Sequence, residues 1–324
     1  MISLPKKSIA HLPTPVEPLS RLSAFLGGPQ LLIKRDDQTG LAFGGNKTRK
    51  LETLCAAAKT ENADTLLTAG AIQSNHCRQT AAAAAHLGMA CTLILVGQAP
   101  STPTANLLLD GLFGADLRWT NKERRDEDLQ KAFEETEAAG GKPYLIPYGG
   151  SNPIGAAAFV YALEEMLQQG QRPDWIVLAS SSGGTQAGMT AGARLLGYEG
   201  KIVGISVEER AADLRPRIAL LAMETASLLG EKTSLAEKDI LVNDDYLGKG
   251  YALMGEAERE AIHLFARLEG LLVDPVYTGR AAAGLIDLVR KGHFNKGESV
   301  LFWHTGGTPA LFADAYRGGL NQAI

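Results

Sequence analysis

Lys47 has the most chemistry to offer, because of where it stands. It follows Ala42-Phe43-Gly44-Gly45-Asn46 and opens the basic run Lys47-Thr48-Arg49-Lys50. The two glycines can take backbone conformations that a Cβ forbids. Asn46 is a good N-cap, and Leu51, Leu54, Ala57 and Ala58 recur behind it at helical spacing. Lys47 is therefore expected in the first turn of a helix, where the positive end of the dipole disfavours a cation. The field favours the neutral amine, which is a nucleophile, a base and a Schiff-base former. Taken alone, this stretch reads more readily as a solvated basic turn; its partners along the chain shift the balance.

The first partner is Ser181-Ser182-Gly183-Gly184-Thr185, between an apolar strand and a helix. Glycines there let backbone N–H groups converge, hydroxyls add donors, and a helix N-terminus favours an anion. It is not a P-loop, since no Lys-Ser/Thr pair follows the glycines. Nor is it a dinucleotide fingerprint, since Ser182 and Ala187 stand where its first and third glycines belong. A tight strand-to-helix turn fits the residues equally well. Gln73-Ser74-Asn75-His76 also ends a strand before a helix, and its amides and side chains could bind a carboxylate or a phenolate oxygen. A capping or packed histidine is the plainer role for His76. A further glycine-bearing polar loop, His304-Thr305-Gly306-Gly307, follows another apolar strand. In open α/β sheets such strand ends converge on a ligand crevice. An amine plus an anion cradle asks for a phosphorylated carbonyl ligand, and pyridoxal 5′-phosphate fits that description. Tyr277 and Tyr251 could stack on the ligand or move a proton there, although packing is the default for lone tyrosines.

The elements that must carry these loops alternate. Leu12 to Leu19 is an extended, proline-rich lead-in. A short helix is expected at 20–26, a strand at 30–35, a helix from Asn46 to about 62, and strands at 65–69 and 91–96. Helices are expected near 104–112, 123–139 and 153–169, and strands at 116–119 and 143–147. The strand 175–180 feeds the serine–glycine loop, followed by a helix at 186–196, a strand at 201–207 and helices near 212–229 and 255–269. Leu271 to Gly279 reads as a strand with a loop, then a helix at 280–290 and a strand at 299–303. Strand–helix alternation predicts an α/β fold with parallel sheets covered on both faces. The absence of a floppy linker predicts two lobes packed across a cleft: residues 1–50 with 160–324, and residues 51–159.

The chain has 324 residues, 45% hydrophobic and 21% charged, enough for two such lobes. A net charge of −4 argues against a nucleic-acid partner. No apolar run reaches the roughly 20 residues of a membrane span, and Met1 to Leu12 has no apolar signal core. Cys55, Cys77 and Cys91 are odd in number and lack ligand spacing, which argues against disulfides or a metal site. Apolar filling is the expected role of Cys77. A reducing cytoplasm is expected, and a homodimer is the default assembly.

Several motifs resemble one family together: Leu12-Pro13-Thr14-Pro15, Ile33-Lys34-Arg35-Asp36-Asp37, Gly44 through Glu52, Gly70 through His76, Asp274-Pro275-Val276-Tyr277-Thr278-Gly279 and His304 through Gly307. The chain resembles the fold-type-II pyridoxal-phosphate enzymes of the group holding D-cysteine desulfhydrase and 1-aminocyclopropane-1-carboxylate deaminase, nearly end to end. The resemblance implies two open twisted, mostly parallel sheet domains flanked by helices, as in the tryptophan synthase β subunit. It implies Lys47 as the Schiff-base lysine, Asn75 at the cofactor's ring oxygen, and Ser181, Ser182, Gly183, Gly184 and Thr185 around the phosphate. Ser74, Asn75 and His76 would take the substrate carboxylate, with Tyr277 and Tyr251 facing the substrate. Thr305 would be the neutral partner of the pyridine nitrogen.

The deaminase pattern has glutamate after the tyrosine matching Tyr277 and leucine where Thr305 stands. Thr278 and Thr305 follow the desulfhydrase pattern instead. The implied activity is α,β-elimination from D-cysteine, releasing pyruvate, ammonia and hydrogen sulfide. Leu26 through Gln30 and Gly45 through Lys50 are also similar to L-cysteate sulfo-lyase, which stays an alternative. A binder of phosphorylated metabolites with no catalysis is the alternative from another class.

Overall fold

Two sheets organise the protein, shown here in a computed structural model that describes residues 2–320. The larger has six strands in the order β1-β2-β10-β7-β8-β9. These are β1 (Val16–Pro18), β2 (Gln30–Lys34), β7 (Trp175–Ser180), β8 (Lys201–Ser206), β9 (Leu241–Asn243) and β10 (Ser299–Trp303). All neighbours are parallel except β1, which runs antiparallel to β2 at the edge. The smaller sheet is fully parallel, in the order β5-β4-β3-β6. Its strands are β3 (Thr65–Ala71), β4 (Ala90–Val96), β5 (Asp116–Thr120) and β6 (Pro143–Leu145).

The period of two in the strands explains the layers. Leu31, Ile33, Val177, Val300 and Phe302 face one core, while Ile176, Leu178, Leu301 and Trp303 face another. Both faces of the six-stranded sheet are therefore apolar and need helices over them. Those helices include α1 (Ser20–Leu26), α6 (Pro153–Gln168), α7 (Gly184–Leu196), α8 (Ala211–Leu228), α9 (Glu256–Leu264), α10 (Thr278–Arg290) and α11 (Asp314–Leu320). The smaller sheet carries α2 (Asn46–Thr60), α3 (Asn75–His86), α4 (Ala105–Leu112) and α5 (Arg125–Ala138). Truncating a fully buried residue such as Phe302 should cost about 3–5 kcal/mol.

Some expectations are corrected. Leu271–Val273 forms no strand: the segment is a loop, and helix α10 begins directly after Tyr277. The long helix expected to Glu269 changes to π-helical geometry at Phe265–Glu269 and ends at Gly270 with φ 67°. Edge strand β9 has only three residues, too few to show a period. Asn46 is not an N-cap. Gly45, at φ 126°, holds that place, and Asn46 is the first helical residue.

A buried charge network fixes the start of α2. Arg49 reaches both carboxylate oxygens of Asp36 (2.8 and 2.9 Å) and both of Glu165 (2.9 Å each). Lys34 donates to Glu165 at 2.6 Å, and Trp303 Nε1 to Asp36 at 2.8 Å. Burial pushes the Glu165 carboxyl up, but Arg49 and Lys34 outweigh it and hold it at about 2. The network thus ties β2, α2 and α6 together.

Candidate active site

Four loops meet at one cleft. Lys47 comes from the start of α2, Ser74 to His76 from the β3–α3 turn, Ser180 to Thr185 from the β7–α7 turn, and Thr305 and Gly306 from the loop after β10. Tyr277 and Tyr148 complete the walls used below. Of the residues singled out in sequence, Gly184 and Tyr251 lie behind the surface.

Lys47 sits in the first turn of α2 as expected. Its amine is held at about 8, against an ordinary 10.5, and burial is the cause. The direction matches the sequence argument, and lost hydration is the leading cause. The Nζ donates to the carbonyl of Gly149 at 3.2 Å. Lys50, one turn on, donates to the same oxygen at 3.0 Å and to Ser151 Oγ at 3.2 Å. Burial, then the neighbouring Lys47, pushes the Lys50 amine well below its usual value. Two amines sharing one acceptor cannot both stay charged easily.

The serine–glycine loop gathers hydrogen-bond donors at one end of the cleft. Gly183 takes the left-handed conformation at φ 85°, capping α7. A Cβ on Gly184 would stand 2.5 Å from Ser151 Oγ and 2.8 Å from Lys50 Nζ, so backbone and side-chain donors crowd together there. Ser182 and Ser151 hydroxyls are 2.8 Å apart. Asn46 Nδ2 donates to Thr185 Oγ1 at 3.0 Å, which leaves the threonine proton free to donate elsewhere. The Ser180 hydroxyl is buried with no partner among the described residues. This loop and the amine are neighbours: a Cβ on Gly149 would lie 2.4 Å from Ser182 Oγ and 3.6 Å from Lys47 Nζ. Lys50 and Ser151 went unassigned in the sequence reading. For Lys50 the available signal was its spacing of three from Lys47, which puts both on one helix face.

Asn75 has its Oδ1 occupied by Arg78 and Asn106, each at 3.0 Å, so its NH₂ is the free end at the cleft. Ser74 caps α3, accepting from Cys77 N at 3.1 Å. His76 turns its Nε2 to Thr68 Oγ1 at 2.9 Å. Thr68 already donates to Ile146 O, so the ring is the donor in that contact. Burial, then Lys47 and Lys50, holds this imidazole neutral. The structural role expected by default for His76 is thus present, and its backbone N–H remains at the start of α3. Thr305 is nearly buried, and its hydroxyl has no partner among the described residues.

Tyr277 and Tyr251 share a hydroxyl–hydroxyl bond of 2.6 Å, with rings at 6.1 Å and edge-to-face. Burial pushes both phenols up, Tyr277 well above the ordinary range. One bond uses one of two protons, so the pair keeps a proton to donate. Asp274 builds the corner beneath, accepting from the N–H groups of Val276, Tyr277 and Thr278. Thr278 lies outside the cleft, with its hydroxyl on Asp274 Oδ1 (2.7 Å) and the Gly306 carbonyl (3.3 Å).

A family model described as pyridoxal-phosphate dependent enzyme matches residues 7–306. The chain belongs to that family. Its cofactor is pyridoxal 5′-phosphate, and the cleft has groups that suit it: an amine lowered to about 8, a cluster of hydroxyl and backbone donors, and the Asn75 amide and Thr305 hydroxyl at its wall. D-cysteine desulfhydrase from Salmonella typhi is 43% identical over 318 residues, covering 95% of this chain and 96% of that one. The protein of the same name from Salmonella newport (strain SL254) is as similar. A crystal structure of an ACC deaminase homologue superposes with TM-score 0.91 at 36% identity, covering 98% of this chain and 96% of that one. A pyridoxal 5′-phosphate-dependent aspartate racemase shares the fold, with TM-score 0.65 at 18% identity and coverage of 91% and 90%. The expected fold-type-II architecture is borne out. Among the described residues no helix is long and apolar enough to cross a membrane, and no cluster of three or more His, Cys, Asp or Glu could hold a metal.

Proposed function

We propose that the protein is a carbon–sulfur lyase that converts D-cysteine and water to pyruvate, ammonia and hydrogen sulfide. The observation that carries this reading is Lys47: an amine held near neutrality beside an anion cradle, in a chain 43% identical to D-cysteine desulfhydrases. When bound, pyridoxal phosphate supplies an aldehyde for the substrate amine and an electron sink that acidifies the Cα–H. Lys47 then takes the α-proton, because lowering its amine from 10.5 to about 8 greatly raises the neutral, basic fraction near neutral pH. Burial pushes both phenols up, so they stay protonated and are no bases for the α-proton; Tyr277 donates a hydrogen bond to the departing sulfur, which leaves Cβ as HS⁻ and takes its second proton from the Lys47 ammonium. The released aminoacrylate hydrolyses to pyruvate and ammonia. Ser181, Ser182, Gly183, Gly184 and Thr185 hold the phosphate with Lys50 and Ser151 behind them. Ser74, Asn75 and the His76 N–H take the substrate carboxylate, and Thr305 faces the ring nitrogen.

No arginine lines the cleft among the described residues. A sulfonate on Cβ would lack a guanidinium partner there, which favours D-cysteine over L-cysteate. Thr278 supports the same side against ring-opening deamination. Its hydroxyl is committed to Asp274 and Gly306, so it supplies no acid to the ring. The larger lobe (1–50 with 160–324), the smaller lobe (51–159), a homodimeric assembly and a cytoplasmic site of action belong to this proposal. A pyruvate-release panel with D-cysteine, L-cysteine, L-cysteate, D-serine and 1-aminocyclopropane-1-carboxylate tests it. D-cysteine should turn over fastest, with sulfide equimolar to pyruvate. Silence on D-cysteine with turnover of another member would overturn the substrate.

A further inference from the structure

Arg78 is fully buried on α3, outside the cleft wall, and the chemistry above does not use it. Its guanidinium nevertheless touches two of the loops that make the site. Nη1 donates to Asn75 Oδ1 at 3.0 Å and to Asn106 Oδ1 at 2.7 Å. Nη2 donates to the carbonyl of Gly44 at 3.0 Å, two residues before the helix that carries Lys47. Gln79 donates to that carbonyl as well. Gly44 has no alternative position, since even a Cβ there would meet the Asp37 carbonyl at 2.1 Å.

The consequence is an amide whose direction is imposed. The two ends of an asparagine amide have nearly the same shape, so surrounding hydrogen bonds decide which end faces where. An arginine donates and never accepts. Arg78 therefore obliges Asn75 to turn its oxygen inward. Asn106 agrees: its Oδ1 is taken by Arg78, and its Nδ2 donates to Asn75 Oδ1 (3.0 Å) and to the Gln73 carbonyl (2.9 Å). Asn106 is itself anchored through its N–H to Gln73 Oε1 at 2.9 Å.

We propose that Arg78 is a positioning residue that sets the polarity of Asn75, so that the amide presents N–H, not oxygen, to the ring oxygen of the cofactor, and that it couples this donor to the loop before Lys47. The inference rests on the assignment of Asn75 to that ring oxygen. A donor there stabilises the ionised oxygen. Without the imposed direction, the amide oxygen would face it part of the time and repel it.

The test uses the holoenzyme and reads the visible spectrum of the bound cofactor against pH, alongside cofactor affinity by spectral titration. Arg78→Lys keeps the charge but donates from a single nitrogen, so it cannot reproduce the two-nitrogen fork that reaches the Asn75 and Asn106 amides with Nη1 and the Gly44 carbonyl with Nη2. Asn106→Ala removes the second director and backs up Arg78→Lys should that variant fold poorly. Asn75→Ala is the reference. Asn75→Ala and Arg78→Lys should each move the spectral pH midpoint upward by about one unit or more, since a hydrogen bond to a charged group is worth about that. The double variant should match Asn75→Ala alone, because Arg78 has nothing left to orient. If Asn75→Ala leaves midpoint and affinity unchanged, the assignment of Asn75 is wrong. If Asn75→Ala shifts the midpoint while Arg78→Lys and Asn106→Ala leave it in place, Arg78 is only structural and the proposal falls. Additive shifts in the double variant would overturn it equally.

Discussion

Replacing Lys47 with methionine should make the apoprotein more stable at neutral pH while abolishing turnover. The amine titrates at about 8 in the fold against 10.5 in an exposed chain, a difference of 10.5 − 8, or about 2.5 pH units. At about 1.4 kcal/mol per unit, the charged amine is disfavoured in the fold by up to about 3.5 kcal/mol. The side chain keeps some access to the cleft, so roughly 1–3 kcal/mol is the realistic range. The sign follows from proton counting. Between about 8 and 10.5 the unfolded chain holds the proton and the folded one does not, so stability rises with pH there. Below about 8 both states are protonated and the whole penalty is present. The Lys47→Met advantage should thus be constant up to pH 7, shrink through 8–10.5, and vanish above. Urea unfolding of both apoproteins across pH 6–10.5 measures it; titrating groups remote from Lys47 cancel in the difference, while Lys50 and His76, which feel its charge, add to the Lys47→Met advantage. Equal stabilities at pH 7, or a gap that widens with pH, would refute the buried-amine argument.

Tyr277→Phe should retain the cofactor's visible band and lose about 10²-fold or more in kcat for D-cysteine, the range of a positioned hydrogen-bond donor; loss of the band instead would mean that the phenol holds the cofactor. Gly184→Ala places a methyl 2.5 Å from Ser151 Oγ and 2.8 Å from Lys50 Nζ, so cofactor affinity should fall at least tenfold by spectral titration with the fold intact by circular dichroism. All three thiols are buried, and burial pushes Cys55 up to about 12 and Cys77 and Cys91 well above the ordinary thiol range. A chromogenic disulfide should find no fast-reacting thiol in the native protein and three in denaturant.

The strand ends were legible in the sequence because each apolar strand stops at a glycine-bearing polar loop, and parallel topology brings such ends together. Lys47 was legible for the same reason. Lys50 and Ser151 were not, since their value comes from meeting across about a hundred residues of chain. Arg78 carried no signal in the sequence; only packing shows that α3 is buried there. Leu271 to Val273 has strand composition but no strand on either side to pair with, so tertiary context overrode propensity. The short β9 carried no period at all.

The opening turn of α2 sends neighbouring side chains to different destinations. Asn46 goes to Thr185, Lys47 to the cleft, Arg49 to Asp36 and Glu165, and Lys50 to Ser151. An α-helix advances about 100° per residue, so inserting or deleting one residue after Gly45 would swing every one of these groups to the wrong compass point at once. Length is therefore frozen at this point more strictly than composition: point changes in the turn can be graded, but a one-residue indel leaves no partial solution.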